Sequence, residues 1–169
     1  HDARNFVVAW NESGSKTRLS RVTDYGHVLD TAGVLVDSFT SGASDLTSSG
    51  DATLIMLGRD SSLYGNSIAV LAFRVDTALR RLDSMPIVLS PPGPGLTRAD
   101  PSIAFTGWGY VAAWCNPFRI GTVAYNTNPV LLLLDLQGRA LDTAAIVLSL
   151  GANSHSYPDV ASDGTGFLA

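Results

Sequence analysis

Asp30, Asp83 and Asp142 are the residues whose type and spacing first suggest chemistry. Each follows a leucine in one of three matched stretches, YGHVLDTAGVLVD (25–37), ALRRLDSMPIVLS (78–90) and QGRALDTAAIVLS (137–149), seven residues before the stretch ends. Carboxylates that recur once per structural unit can converge on a common axis and hold a hard cation through oxygen ligands. An Asp beyond a turn also accepts hydrogen bonds from nearby backbone N–H groups, and a bond that stabilises one repeat recurs in the next. The second reading needs no ion and is the expected one. No cofactor is expected, and nothing else in the sequence supports a structural calcium ion.

The remaining reactive side chains are sparse. Cys115 is the single cysteine, so neither an intrachain disulfide nor a cysteine zinc site can form. It follows the apolar run YVAAW and is expected to be a small buried residue. An N-terminal histidine such as His1 can chelate copper when a second histidine is near, yet no spacing ties His27 or His155 to it. Glu12, the one glutamate, lies in the turn-like NESGSK, whereas glycoside hydrolysis wants a pair of carboxylates. Asn11-Glu12-Ser13 matches a glycosylation sequon, which has weight only in a eukaryotic secreted chain. SPPGPG (90–95) is a proline-stiffened connection and not a phosphate loop opening a helix.

Aromatic residues supply the other candidates. Trp108 stands in the turn TGWGY between Gly107 and Gly109 and has no aromatic counterpart at Asp51 or Thr165. With Tyr110 it is the expected contact for a ligand or partner. Trp10 and Trp114 occupy matched positions, where a large ring fills space between repeat units; stacking against a sugar is the other use of such a ring.

The elements that would position these residues follow from composition. The chain has 169 residues, 46% of them hydrophobic, enough for a sizeable core. One Lys stands against ten Arg, and one Glu against fourteen Asp. Lys and Glu suit helix surfaces, whereas Asp, Gly and Ser suit turns, so the balance predicts an all-β fold of short strands and tight connections. A net charge of −4 offers no basic stripe for nucleic acid. The longest apolar run, VLLLLDL (130–136), is far short of the roughly 20 residues that cross a bilayer.

The strands repeat. YPDVASDGTGFLA (157–169) overlays DPSIAFTGWGYVAAW (100–114) at an offset of 57, and a further step of 57 reaches SDLTSSGDATLIML (44–57). With the Leu-Asp stretches in register, the chain divides into units of about 1–43, 44–100 and 101–157, with 158–169 beginning the next. Each unit reads as four strands. In the last full unit these are Ser102–Phe105, Tyr110–Trp114, Val130–Leu136 and Ile146–Leu150, the fourth having Ile87–Ser90 as its counterpart in the middle unit. Gly26 and Gly138 sit four residues before the Asp, where the middle copy has Leu79, so that turn is expected to be built differently.

The pattern carried by Pro101, Ile103, Ala104, Gly107, Tyr110 and Trp114, then Gly138, Leu141, Asp142, Leu148 and Ser149, resembles repeats of secreted or surface β-propeller proteins of bacteria. The resemblance spans nearly the whole chain. It implies a β-propeller segment of about three four-stranded blades in a permuted frame, in an extracellular, cell-surface or periplasmic setting, and it supplies no catalytic residues. Three blades do not close a ring of the usual four to eight. Closure is expected from further blades of a longer chain, or else from a second copy whose tail strand, Asp159–Ser162, sits beside Phe6–Trp10. The expected function is a non-catalytic scaffold for carbohydrate or protein. The alternatives are part of a propeller enzyme, a glycoside hydrolase or lyase with its active site outside this segment, and a structural subunit of an extracellular assembly.

Overall fold

The computed structural model describes residues 5–13, 16–38, 40–61, 67–91, 100–120, 124–150 and 155–169. His1 and most of the SPPGPG connection lie outside them. Among the described residues, thirteen strands form an all-β structure: β1 (Asn5–Glu12), β2 (Lys16–Thr23), β3 (Val34–Asp37), β4 (Thr40–Ser48), β5 (Ala52–Ser61), β6 (Ser67–Asp76), β7 (Ile87–Ser90), β8 (Ser102–Phe105), β9 (Tyr110–Ile120), β10 (Ala124–Leu134), β11 (Ile146–Val147), β12 (Ala161–Ser162) and β13 (Phe167–Leu168).

The strands pair into four small antiparallel sheets, each joined strictly in chain order. Sheet 1 is β1-β2-β3, sheet 2 is β4-β5-β6-β7, sheet 3 is β8-β9-β10-β11, and β12-β13 is a two-stranded ribbon. Among the described residues they do not close into a ring. The expected strands Ser102–Phe105 and Ile87–Ser90 match β8 and β7 to the residue, β9 runs on past the expected Tyr110–Trp114, and β10 begins before the expected Val130–Leu136 but ends at Leu134, short of Leu136. Polar extensions such as Asn116 and Asn128 pair across β9 and β10 beyond the apolar runs, because backbone pairing does not require an apolar side chain.

Side chains alternate across each strand, so every four-stranded sheet has two apolar faces, each packed on a different neighbour. One cluster holds Leu54, Met56, Val70 and Ala72 of sheet 2 against Tyr110, Ala112, Trp114, Val130 and Leu132 of sheet 3. The opposite face of sheet 2, with Ile55, Leu57, Leu71, Phe73 and Val75, meets Leu19 and Val36 of sheet 1. A third cluster packs Ala104, Val111, Ala113 and Leu131 of sheet 3 with Val160. Burial of one large side chain in such a layer contributes about 1.5–3 kcal/mol, so repeated faces of this kind hold the stack together.

The turn after β2, β6 and β10 is the same in all three copies, which corrects the expectation for Leu79. Gly26 (φ 82), Leu79 (φ 60) and Gly138 (φ 75) all adopt the left-handed conformation. Their N–H groups donate to Thr23, Asp76 and Asp135 carbonyl oxygens, each at 2.9 Å. A leucine there costs roughly 1 kcal/mol more than a glycine. Leu79 is only 3% exposed and packs in the cluster of Phe73 and Val75, so burial of its side chain offsets the backbone cost.

Candidate functional site

The first strands of successive units lie side by side, β4 beside β8 and β8 beside β12. Their matched residues Asp45, Ser102 and Asp159 form a hydrogen-bonded ladder across the three. The Ser102 hydroxyl lies 3.2 Å from Asp45 Oδ2 and 2.9 Å from Asp159 Oδ1. Ile103 N–H donates to Asp45 Oδ2 at 2.8 Å, and Val160 N–H donates to Ser102 Oγ at 3.2 Å and to Asp159 Oδ1 at 2.9 Å. Phe105 N–H donates to Thr47 Oγ1 at 3.1 Å. Each first strand therefore gives backbone donors to side chains of the strand before it. Ser102 is 5% exposed, so these bonds compete little with water.

The hairpin turns that follow β8 and β12 are also neighbours. Gly50, Gly107 and Gly164 hold φ values of 97, 87 and 88. A Cβ on Gly107 would collide with the Gly164 carbonyl oxygen, so two matched turns touch backbone to backbone. Thr106 N–H and its hydroxyl both donate to the Gly109 carbonyl, at 2.9 Å and 3.1 Å. This fixed turn presents Trp108, which is 49% exposed. In the last unit Asp163 Oδ1 accepts from Thr165 N–H, Thr165 Oγ1 and Gly166 N–H, each at 2.8 Å. The backbone donors of Gly166 and Thr165, with the Thr165 hydroxyl, hold the Asp163 carboxyl down at about 2.

The recurring aspartates do not share one environment. Asp30 Oδ2 accepts from Arg21 N–H at 3.0 Å and from Arg21 Nε at 2.9 Å. Asp83 repeats this with Arg74, whose N–H lies at 3.0 Å and whose Nη2 lies at 2.6 Å. Arg21 and Arg74 each stand nine residues before their aspartate, where the third copy has Leu133, and Asp142 is exposed. The Arg21 side-chain bond holds the Asp30 carboxyl below its ordinary value against desolvation. For Asp83, burial pushes the carboxyl up, but the side-chain and backbone bonds from Arg74 outweigh it and hold it low. Among the described residues no three His, Cys, Asp or Glu side chains converge as a metal centre requires.

Of the aromatic candidates, only Trp108 lies on the turn rim. Tyr110 is fully buried between sheets 2 and 3, so Trp108 and Tyr110 are not brought to one surface. Trp114 is buried in the same layer, whereas its match Trp10 is 37% exposed on the outer face of sheet 1, with its ring against Gly33. Cys115 is buried, and its thiol donates to the His155 carbonyl at 3.5 Å.

Two sets of residues went unrecognised in the sequence. The arginines were signalled by the Arg-x8-Asp spacing shared by Arg21/Asp30 and Arg74/Asp83. The ladder was signalled by short polar residues 57 apart, though their polar character alone also suits exposed turns. Comparison with protein-family models, curated proteins and solved structures found no match to this chain.

Proposed function

We propose that each sheet is a blade of a β-propeller and that the chain is a non-catalytic scaffold, at the cell surface or outside the cytoplasm, that binds carbohydrate or protein on its turn rim. The observation that carries the reading is the side-by-side packing of matched first strands through Asp45, Ser102 and Asp159, with the matched turns of Gly107 and Gly164 in backbone contact. Radial repetition of four-stranded meanders places first strands next to one another around an axis and buries both faces of each sheet. Further blades of the same repeat would complete the ring. Such an assembly is rigid where its turns meet, and a half-exposed indole on a fixed turn is a good stacking surface because little conformational freedom is lost on contact.

The test is an array of soluble oligosaccharides and peptides probed with the labelled chain and with Trp108→Ala, alongside an assay for released sugar. Binding weakened tenfold or more by the substitution, without turnover, supports the reading. Turnover of a bound saccharide, binding indifferent to Trp108, or no binding at all overturns it.

A further inference from the structure

Among the described residues sheets 2 and 3 have four strands each and sheet 1 has three, with β1 at one edge. Repeat positions show what would pair there. In sheet 3, β8 pairs with β9 through Ser102↔Ala113, Ile103↔Ala112 and Ala104↔Val111. The matched positions on β1, at an offset of 104, are Ala9, Val8 and Val7. A fourth strand on β1 would therefore place its ladder residue opposite Ala9 and next to Asp45, because β1 and β4 are neighbours.

The ladder restricts what that residue can be. Asp45 and Asp159 are kept apart by Ser102, whose one hydroxyl proton serves either carboxylate. Carboxylates in direct contact would have no proton to share and would repel. Val160 N–H reaches both its own Asp159 and the preceding Ser102, while Leu46 N–H, in the matched place, donates to its own Asp45 Oδ1 at 2.8 Å. A hydroxyl on the incoming strand would accept from Leu46 N–H and donate to Asp45, as Ser102 accepts from Val160 N–H and donates to Asp159.

We infer that the β1 edge is a strand-docking site selective for a first strand of this repeat type bearing Ser or Thr at the ladder position, supplied by a further repeat unit, and that it rejects the chain's own tail type, which carries Asp159. Charge alternation along the ladder, more than apolar fit, selects the occupant. The inference rests on reading each sheet as a unit of one ring, but its site is the β1 edge and not the exposed Trp108 turn, so the two are tested separately.

The probes are synthetic peptides of residues 100–106 (DPSIAFT) and 157–163 (YPDVASD), each also made with the ladder residue exchanged, Ser102→Asp in the first and Asp159→Ser in the second. Titration of the intact chain, followed by amide exchange at Val7–Trp10, reads affinity and location together. The expected result is that both Ser peptides bind at least tenfold more tightly than their Asp forms and protect the β1 amides. In an Asp45→Asn chain, checked for folding by urea denaturation, that ratio falls toward one. Equal affinity of Ser and Asp peptides, protection elsewhere than β1, or self-association of the chain through its Asp159 strand would each overturn it. Loss of this selectivity with Trp108-dependent rim binding intact would sink this inference alone; loss of rim binding with the selectivity intact would sink only the scaffold reading.

Discussion

Ser102 and Asp159 are 57 residues apart in the chain and 2.9 Å apart in space, Oγ to Oδ1. One repeat length thus separates two residues that occupy the same place in consecutive units, and the units meet there. The same hydroxyl approaches Asp45 one repeat earlier, so a single buried serine joins three strands that share no sheet.

Removing that hydroxyl should be costly. Ser102→Ala takes one hydrogen bond from Val160 N–H and one from each carboxylate, which keep their backbone partners, and is expected to destabilise the chain by about 1–3 kcal/mol, as is usual for hydrogen bonds to charged groups, whereas Ser102→Thr, which keeps the hydroxyl, should cost less. Ser102→Asp should be the worst of the three, since it places three carboxylates in a row. Urea denaturation of the three variants checks the order.

Leu79 allows the backbone and packing contributions to be separated. Leu79→Ala removes a buried side chain and keeps the left-handed strain, for an expected loss of about 2–4 kcal/mol. Leu79→Gly loses the same side chain but relieves the strain. The glycine variant should therefore be at least as stable as the alanine variant, the reverse of the usual order inside ordered structure. Thermal and urea midpoints of the pair decide it.

Asp83→Asn should cost about 1–2 kcal/mol, because Arg74 loses a charged partner, whereas Asp142→Asn should change stability little because Leu133 stands where the arginine would be. The pH dependence has a definite sign. Asp30, Asp83 and Asp163 titrate lower in the folded chain than when unfolded, so the folded state binds fewer protons in acid. Their contribution is complete above the unfolded value of about 3.9 and declines as pH falls below it. For Asp163 the decline continues to about 2. Urea midpoints between neutral pH and this range should fall on acidification, less steeply in Asp83→Asn.

Gly107 and Gly164 share the same backbone conformation but not the same surroundings. An alanine at either is strained by its positive φ, at roughly 1 kcal/mol. Gly107→Ala additionally drives a methyl group into the Gly164 carbonyl, while nothing lies within 4 Å of a Cβ at Gly164. Gly107→Ala should therefore be clearly the more destabilising, and it should also weaken whatever depends on the position of Trp108. Denaturation midpoints of the two variants test the first point.

Much of this was open to reading along the chain. Alternating and continuous apolar runs set between Gly, Asp and Pro specify short strands because strand side chains point to two faces, and the offset of 57 places matched strands without reference to any other protein. The strands Ser102–Phe105 and Ile87–Ser90 follow directly from such runs. What the sequence could not decide was which polar residues meet. Asp45, Ser102 and Asp159 have the character of ordinary turn or edge residues, and only the lateral packing of separate sheets brings them within hydrogen-bond distance. The fate of matched residues was equally a tertiary matter: Trp114 is buried because sheet 2 lies over it, while Trp10, in the same strand position, stays half-exposed on the outer face of sheet 1. Leu79 takes a glycine's conformation for the same reason, since the energy that offsets its backbone strain comes from a neighbouring layer that local sequence does not contain. Local sequence determines which face of a strand is apolar; the stacking of sheets decides what covers it.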